Sequence, residues 1–164
     1  MPRTLGIFLT WTTYGTWLRG DRRGWVERGL VYPPDPVLEE ADRRRLRYPP
    51  FLLPRRQRHR AGELIGQSAD RLGAKVHALF VGAWHVHLVT GYVHVPLPEV
   101  VKVLKEGVRN GLGYSRAIWV DGYDKRFCFD AGSLRARVEY VRKHNVEDGL
   151  APDPWGFIEP VRWR

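Results

Sequence analysis

Apolar residues alternate with a period of two in some stretches and fall into helical stripes in others. The switching between these patterns lays out most of the chain. Thr4 to Thr13 (TLGIFLTWTT) is rich in β-branched and aromatic residues and reads as a first strand. Gly15, Gly20 and Gly24 follow as turn signals among aromatic and basic residues. Gln57 to Leu72 has helical spacing and meets Gly73, which suits a helix C-terminus. Lys75 to Val81 and Trp84 to Val93 then read as two strands joined at Gly82. Pro98 opens a second helix, whose stripe of Val100, Val101, Leu104 and Val108 runs to about Gly111. Ala117 to Val120 and Arg126 to Phe129 fit short edge strands. Ser133 is placed to cap a last helix with Leu134, Val138 and Val141 on its buried side, and Gly149 ends it. The remaining residues are an irregular aromatic tail, and no internal repeat is visible. This order predicts an α+β sandwich around a mostly antiparallel sheet.

The pattern breaks between residues 31 and 54. Pro33, Pro34, Pro36, Pro49, Pro50 and Pro54 preclude a long helix, although EEADRRRLR has room for two turns. From Arg43 to Arg60 there are eight arginines and no acid. Either this is a solvated loop, or the prolines hold an extended arm that grips phosphate. In the second case Arg43, Arg44, Arg45, Arg55, Arg56, Arg58 and Arg60 are the candidate DNA contacts. At 164 residues the chain is expected to be a single domain, with 31–54 as a Pro/Arg-rich insert.

Charge sharpens the partner class. A net charge of +9 favours a polyanion, most simply nucleic acid. Of 27 basic residues 22 are arginine, whose planar guanidinium holds phosphate bidentately. A coding bias toward arginine explains that ratio but not the net charge. No apolar run reaches the length of a membrane span, so no membrane association is expected. The N-terminal stretch lacks the features of a signal peptide. A single cysteine, Cys128, excludes an internal disulfide and suits a reducing cytoplasm.

The candidate chemistry begins in GAWHVHLVTGYV, residues 82–93, where two histidines interrupt a hydrophobic run. In a strand, residues two apart share a face, so His85 and His87 project side by side while Trp84, Val86 and Leu88 take the other. Two imidazoles at that spacing can hold one cation. Two partly buried histidines bonded to backbone would give the same pattern. On the last helix, Tyr140 and His144 are four apart and share a face lying roughly 80–120° from the core stripe at 100° per residue. A tyrosine can be a covalent nucleophile, and a nearby cation can stabilise charge on a phosphoryl oxygen.

HVHLV (85–89) resembles the histidine–hydrophobe–histidine motif of the HUH endonucleases. WVDGYDKRF together with SLRARVEYVRKHNVEDGL, within residues 119–150, resembles the C-terminal signature of REP-associated tyrosine transposases and their single-tyrosine insertion-sequence relatives. FLTWTTYGTWLRGDRRGWV resembles the opening of a subgroup of them. The resemblance covers residues 4–30 and about 57–155. It implies a ferredoxin-like sheet with helices on one face and the histidine pair on a central strand. It also implies that His85 and His87 bind metal and that Tyr140 is the catalytic nucleophile. His144 stands where the family usually has Asn or Gln as third metal ligand, and Asn145 where Pro often follows. The implied cofactor is a divalent ion, Mg or Mn, although three imidazoles favour Mn²⁺, Co²⁺ or Zn²⁺ on softness.

The implied activity is metal-dependent cleavage and strand transfer of single-stranded DNA through a 5′-phosphotyrosine link, near a hairpin, by a monomer or homodimer. Two other classes compete with it. One is a domesticated DNA-binding protein of repeat elements without strand transfer. The other is a histidine phosphoesterase, but Val89 stands where a further alternate histidine would be. Trp11, Tyr14, Trp17 and Trp25 are placed either to stack on bases or to fill the core. Trp119 and Asp124 match the signature and read as structural.

Overall fold

Gly6–Thr12 forms β1 in the computed structural model, which describes residues 3–163. A small hairpin of β2 (Trp25–Glu27) and β3 (Leu30–Tyr32) follows, then helices α1 (Pro36–Arg45) and α2 (Arg55–Arg71). β4 (Val76–Val81), β5 (His85–Gly91), α3 (Leu97–Gly111), β6 (Asp124–Cys128) and α4 (Ala131–Glu147) complete the order. The main sheet runs β4-β5-β1-β6, with every neighbouring pair antiparallel. β1 and β4 are therefore parallel with β5 between them, and α2 is their crossover. β5 and β6 enclose β1 in the same way, with α3 as crossover. This split arrangement is ferredoxin-like, as expected, and the histidine strand is central.

Alternation along the strands separates two faces. Ile7, Leu9 and Trp11 of β1, Leu79 and Val81 of β4, and Val86 and Leu88 of β5 belong to one core with α2 and α3. All four stripe residues of α3 are buried in it. Full burial of each aliphatic side chain here stabilises the fold by about 1.5–3 kcal/mol. α2 and α3 approach closely because Gly107 and Gly111 leave no room for a Cβ against Ser68 and Leu64. Phe8, Ala78, Phe80, Val89 and Cys128 point the other way, and α4 covers them with Leu134 and Val141. Helices thus lie on both faces. The expectation of one helical face holds for α2 and α3 but not for α4, because the alternate strand positions are themselves apolar and need cover.

Three local expectations also change. The N-cap of α4 is Asp130, whose Oδ1 accepts from Ser133 N at 2.7 Å, so Ser133 lies inside the first turn. Residues 117–120 form a lone bridge from Thr13 to Trp119 rather than a strand. The proline-rich region contains a ten-residue helix, α1, because Asp35 caps it and Pro36 occupies its first turn, where proline is tolerated. Beyond α1 the chain returns to the core, burying Phe51 and Leu53. Their amides donate to Tyr14 O at 2.8 Å and Ala83 O at 2.7 Å. The tail packs Trp155 on Gly62 and pairs Glu159 N with Val76 O at 2.8 Å, covering the outer edge of β4. No helix among the described residues is long and apolar enough to cross a membrane.

Candidate metal centre and neighbouring tyrosine

The α4-facing side of the sheet carries the chemistry. His85, His87 and Val89 alternate onto it from β5, and α4 crosses above with Tyr140 and His144. The helix is pinned at that point by Asn145, which is fully buried and donates from Nδ2 to Leu79 O at 2.8 Å and Pro152 O at 3.0 Å. That pinning turns the preceding residue, His144, toward the histidine strand. One ligand atom from each of His85, His87 and His144 lies within 4.8 Å of the others.

Second contacts fix the rings. His87 Nδ1 meets Thr10 Oγ1 at 2.9 Å, across the register pair that joins β1 to β5. His144 Nδ1 donates to Tyr140 O at 2.9 Å, which leaves its Nε2 with the lone pair. Such outer contacts orient metal-binding imidazoles. His85 Nδ1 is buried with no hydrogen-bond partner among the described residues. An orphaned buried nitrogen costs about 1–3 kcal/mol, and a cation accepting its lone pair would remove that cost.

Burial pushes the His87 imidazolium down to about 3, with the neighbouring His85 and His144 adding to the effect. His85 falls to about 4, by burial first and then by the charges of His144 and Arg23. Both rings are therefore neutral at pH 7, the form that binds metal. These residues fit a divalent ion.

Aromatic rings wall the cluster. Phe80 lies 5.2 Å from His144, 5.3 Å from His85 and 6.0 Å from His87, ring centre to ring centre. Phe8 lies 5.6 Å from His87. Tyr140 is 43% exposed, yet its ring lies 4.5 Å from His144 and 5.4 Å from His87. A reachable phenol thus borders two of the three imidazoles.

On the other side, Trp84 precedes β5 and escapes its alternation, placing its ring 3.8 Å from His85. Trp17 stands 5.5 Å beyond, and the Arg23 guanidinium lies 4.0 Å from the Trp17 ring and 5.0 Å from that of Trp84. The half-exposed Arg23 is held by Asp21, whose carboxyl it keeps below the usual range.

Sequence reasoning missed Trp84, Arg23, Thr10 and Phe80. Strand alternation from His87 would have found Phe80 and Thr10 had the register been known, whereas Arg23 reaches the site through a loop that leaves no periodic signal. Of the aromatic candidates, Trp11 and Trp25 are buried and Tyr14 packs against the core. Only Trp17 among the four lies beside the site.

The arginine-rich segment is not brought together into an extended arm. Arg43, Arg44 and Arg45 end α1, where Arg43 pairs with Glu39 and Glu40, and Arg44 with Glu40. Arg55, Arg56, Arg58 and Arg60 occupy the first two turns of α2. Arg55 pairs with Asp148 at 3.1 Å, just past the end of α4, and Arg60 with Glu63 at 3.0 Å.

No family model matches the sequence, and no curated protein matches it. Solved structures are similar in fold. One is a REP-associated tyrosine transposase bound to a REP hairpin, 14% identical, with a TM-score of 0.56 over 94% of this chain and 76% of that one. Another is a candidate transposase from Deinococcus radiodurans R1, 18% identical, with a TM-score of 0.46 over 91% of this chain and 93% of that one. The chain has the fold of a REP-associated tyrosine transposase.

Proposed function

We propose that this protein is a single-tyrosine HUH enzyme that cleaves and rejoins single-stranded DNA next to a hairpin. The observation that carries this reading is the exposed Tyr140 phenol standing 4.5 Å and 5.4 Å, ring to ring, from two members of a three-imidazole cluster. The Tyr140 oxygen attacks a backbone phosphorus while the bond from phosphorus to the 3′ oxygen breaks. The phenol loses its proton and the departing 3′ oxygen gains one. The 5′ end is then held as a phosphotyrosine ester, which a second 3′-OH reverses by the same exchange.

His85, His87 and His144 hold a divalent ion, Mg or Mn, with Thr10 orienting His87 and the Tyr140 carbonyl orienting His144. When bound, that ion supplies Lewis-acid polarisation of a phosphoryl oxygen. The net charge of +9 suits the polyanionic substrate. The hairpin bound by the structural neighbour suggests the same class of partner here. We place the whole 164-residue chain in one domain acting in the cytoplasm, where the lone buried Cys128 stays reduced.

Incubation of the protein with single-stranded oligonucleotides and Mn²⁺, followed by denaturing electrophoresis, tests this. A covalent protein–DNA band is expected. Tight DNA binding without any band would overturn the strand-transfer reading and leave a DNA-binding protein.

A further inference from the structure

Most acid-paired arginines of this chain lie away from the tyrosine, among them Arg43, Arg55 and Arg60. Two arginines placed around Phe8, a ring that touches Tyr140, differ. Arg126 is opposite Phe8 in the pairing of β6 with β1, so both side chains take the same face of the sheet. Arg137, one turn before Tyr140 on α4, holds its guanidinium 5.2 Å from the Phe8 ring centre. The Phe8 ring in turn meets Tyr140 edge-on at 5.9 Å. Arg126 and Arg137 therefore converge on Phe8, from β6 and from α4, and the Phe8 ring links them to Tyr140.

Neither has a carboxylate partner within salt-bridge distance among the described residues, whereas Arg142 on the same helix has two. Asp124, also on this face of β6, is level with Thr10 and His87. It is also two positions from Arg126 on the same face of β6, but makes no ion pair with it. Stacking on Phe8 holds the Arg137 fork in place at little further entropy cost.

We propose that Arg126 and Arg137 form a subsite for a DNA backbone phosphate, the one adjacent to the phosphate that Tyr140 attacks. This rests on the reading of Tyr140 as nucleophile. An unpaired planar guanidinium is matched to phosphate and makes charge-assisted, bidentate contacts. The grip positions the strand without reading its sequence.

The test compares the full-length protein with the Arg126→Ser/Arg137→Ser double variant, using a fluorescent single-stranded oligonucleotide. Binding is measured across salt concentrations, and covalent adduct is measured in Mn²⁺. At about −0.7 per phosphate contact, the slope of log K against log salt should flatten by about 1.4 in the double variant. A control pair, Lys102→Ser/Arg109→Ser, removes the same charge from α3 on the opposite face of the sheet. Its slope should stay unchanged.

An unaltered slope in the double variant, or an equal flattening in the control pair, overturns the subsite. Should the double variant fail to fold, Arg126→Ser alone, on an exposed edge strand, decides it by a flattening of about 0.7. If the wild type forms no adduct yet the slope flattens as expected, Tyr140 is not the nucleophile and the phosphate subsite stands. If adduct forms and the slope does not change, the nucleophile stands and the subsite fails.

Discussion

The two faces of one sheet are built from the same strands and obey different rules. Toward α2 and α3 the strands present Leu9, Leu79, Val86 and Leu88, all fully buried. Two amphipathic helices and two close glycine contacts seal that face. Toward α4 they present Phe8, Phe80, His85 and His87, covered by one helix. That helix buries only Leu134, Val141 and Asn145. The first face is dense and apolar, so it contributes stability and no chemistry. The second trades packing for reachable imidazoles and a phenol. Because alternation ties the faces together, a one-residue slip of β5 would exchange them. The register that buries Leu88 is therefore also the register that exposes the histidines to α4.

The sharpest way to separate the faces is Tyr140→Phe. It removes a hydroxyl from a half-exposed ring and should leave the thermal midpoint and DNA binding unchanged. Adduct formation should vanish; loss of a nucleophile in a site acting as a unit costs on the order of 10⁶ in rate. Adduct from the Phe variant would move the chemistry to another residue, Tyr114 or Tyr123 being the next to examine.

A second comparison substitutes neighbours on β5. Leu88→Ala should cost about 2–5 kcal/mol in denaturant unfolding and leave Mn²⁺ affinity of the folded protein intact. His87→Gln should do the reverse. Calorimetric titration should show Mn²⁺ affinity lowered about 10- to 100-fold, with stability changed by about 1 kcal/mol. Equal metal affinity in wild type and His87→Gln would remove the metal role from this face.

The dense face was legible because its signals are periodic. The stripe Val100, Val101, Leu104, Val108 and the alternation in β1 and β5 follow directly from burying one side of a regular element. The other face was legible in part, for a related reason. His85, His87, Tyr140 and His144 obey strand and helix spacing, so their pairwise sharing of faces could be read off. What brings the two pairs together could not, since it depends on Asn145 bonding to Leu79, 66 positions away. The Arg23–Trp17–Trp84 stack was also hidden, because loop residues carry no period. The arginine segment was misjudged in its form. Composition reported the charge, but the acids that balance it come from Glu39, Glu40, Glu63 and Asp148, outside or beyond the run.

The buried histidines also give the second face a pH dependence that the first lacks. Unfolded, both titrate near 6.5; folded, His85 falls to about 4 and His87 to about 3. Between those values the unfolded chain binds more protons than the folded one, so stability increases with pH. The contribution is complete above pH 6.5 and disappears as pH falls toward 4 and then 3. Each ring contributes a slope of up to about 1.4 kcal/mol per pH unit inside its own window, and the window is wider for His87, the more deeply buried. Urea unfolding of chelator-treated protein between pH 7 and pH 4 should show this loss, and the His85→Gln/His87→Gln variant should show a flatter profile. Identical profiles would mean that the rings are solvated and not part of a closed face.

The smallest effect is expected from the arginines of α2, and it sharpens the contrast with the pair around Phe8. Were Arg55, Arg56, Arg58 and Arg60 a free phosphate arm, replacing all four with Ser would flatten the salt slope of single-strand binding by roughly 2 to 3 units. Three of them are already engaged. Arg55 donates to Asp148 Oδ1 at 3.1 Å and Asp148 O at 2.9 Å. Arg58 Nε donates to Leu53 O at 3.2 Å, and Arg60 pairs with Glu63 at 3.0 Å. Only Arg56 has no carboxylate or carbonyl partner among the described residues. The expected flattening is therefore about 0.7, one contact's worth. Stability should hardly change, because exposed ion pairs contribute about 0–1 kcal/mol each. The choice of cleavage site should stay the same, since phosphate contacts position without specifying. A flattening of 2 units or more would mean that DNA pulls these arginines out of their internal pairs. The boundary between the reactive face and its charged surroundings would then have to be redrawn around α2.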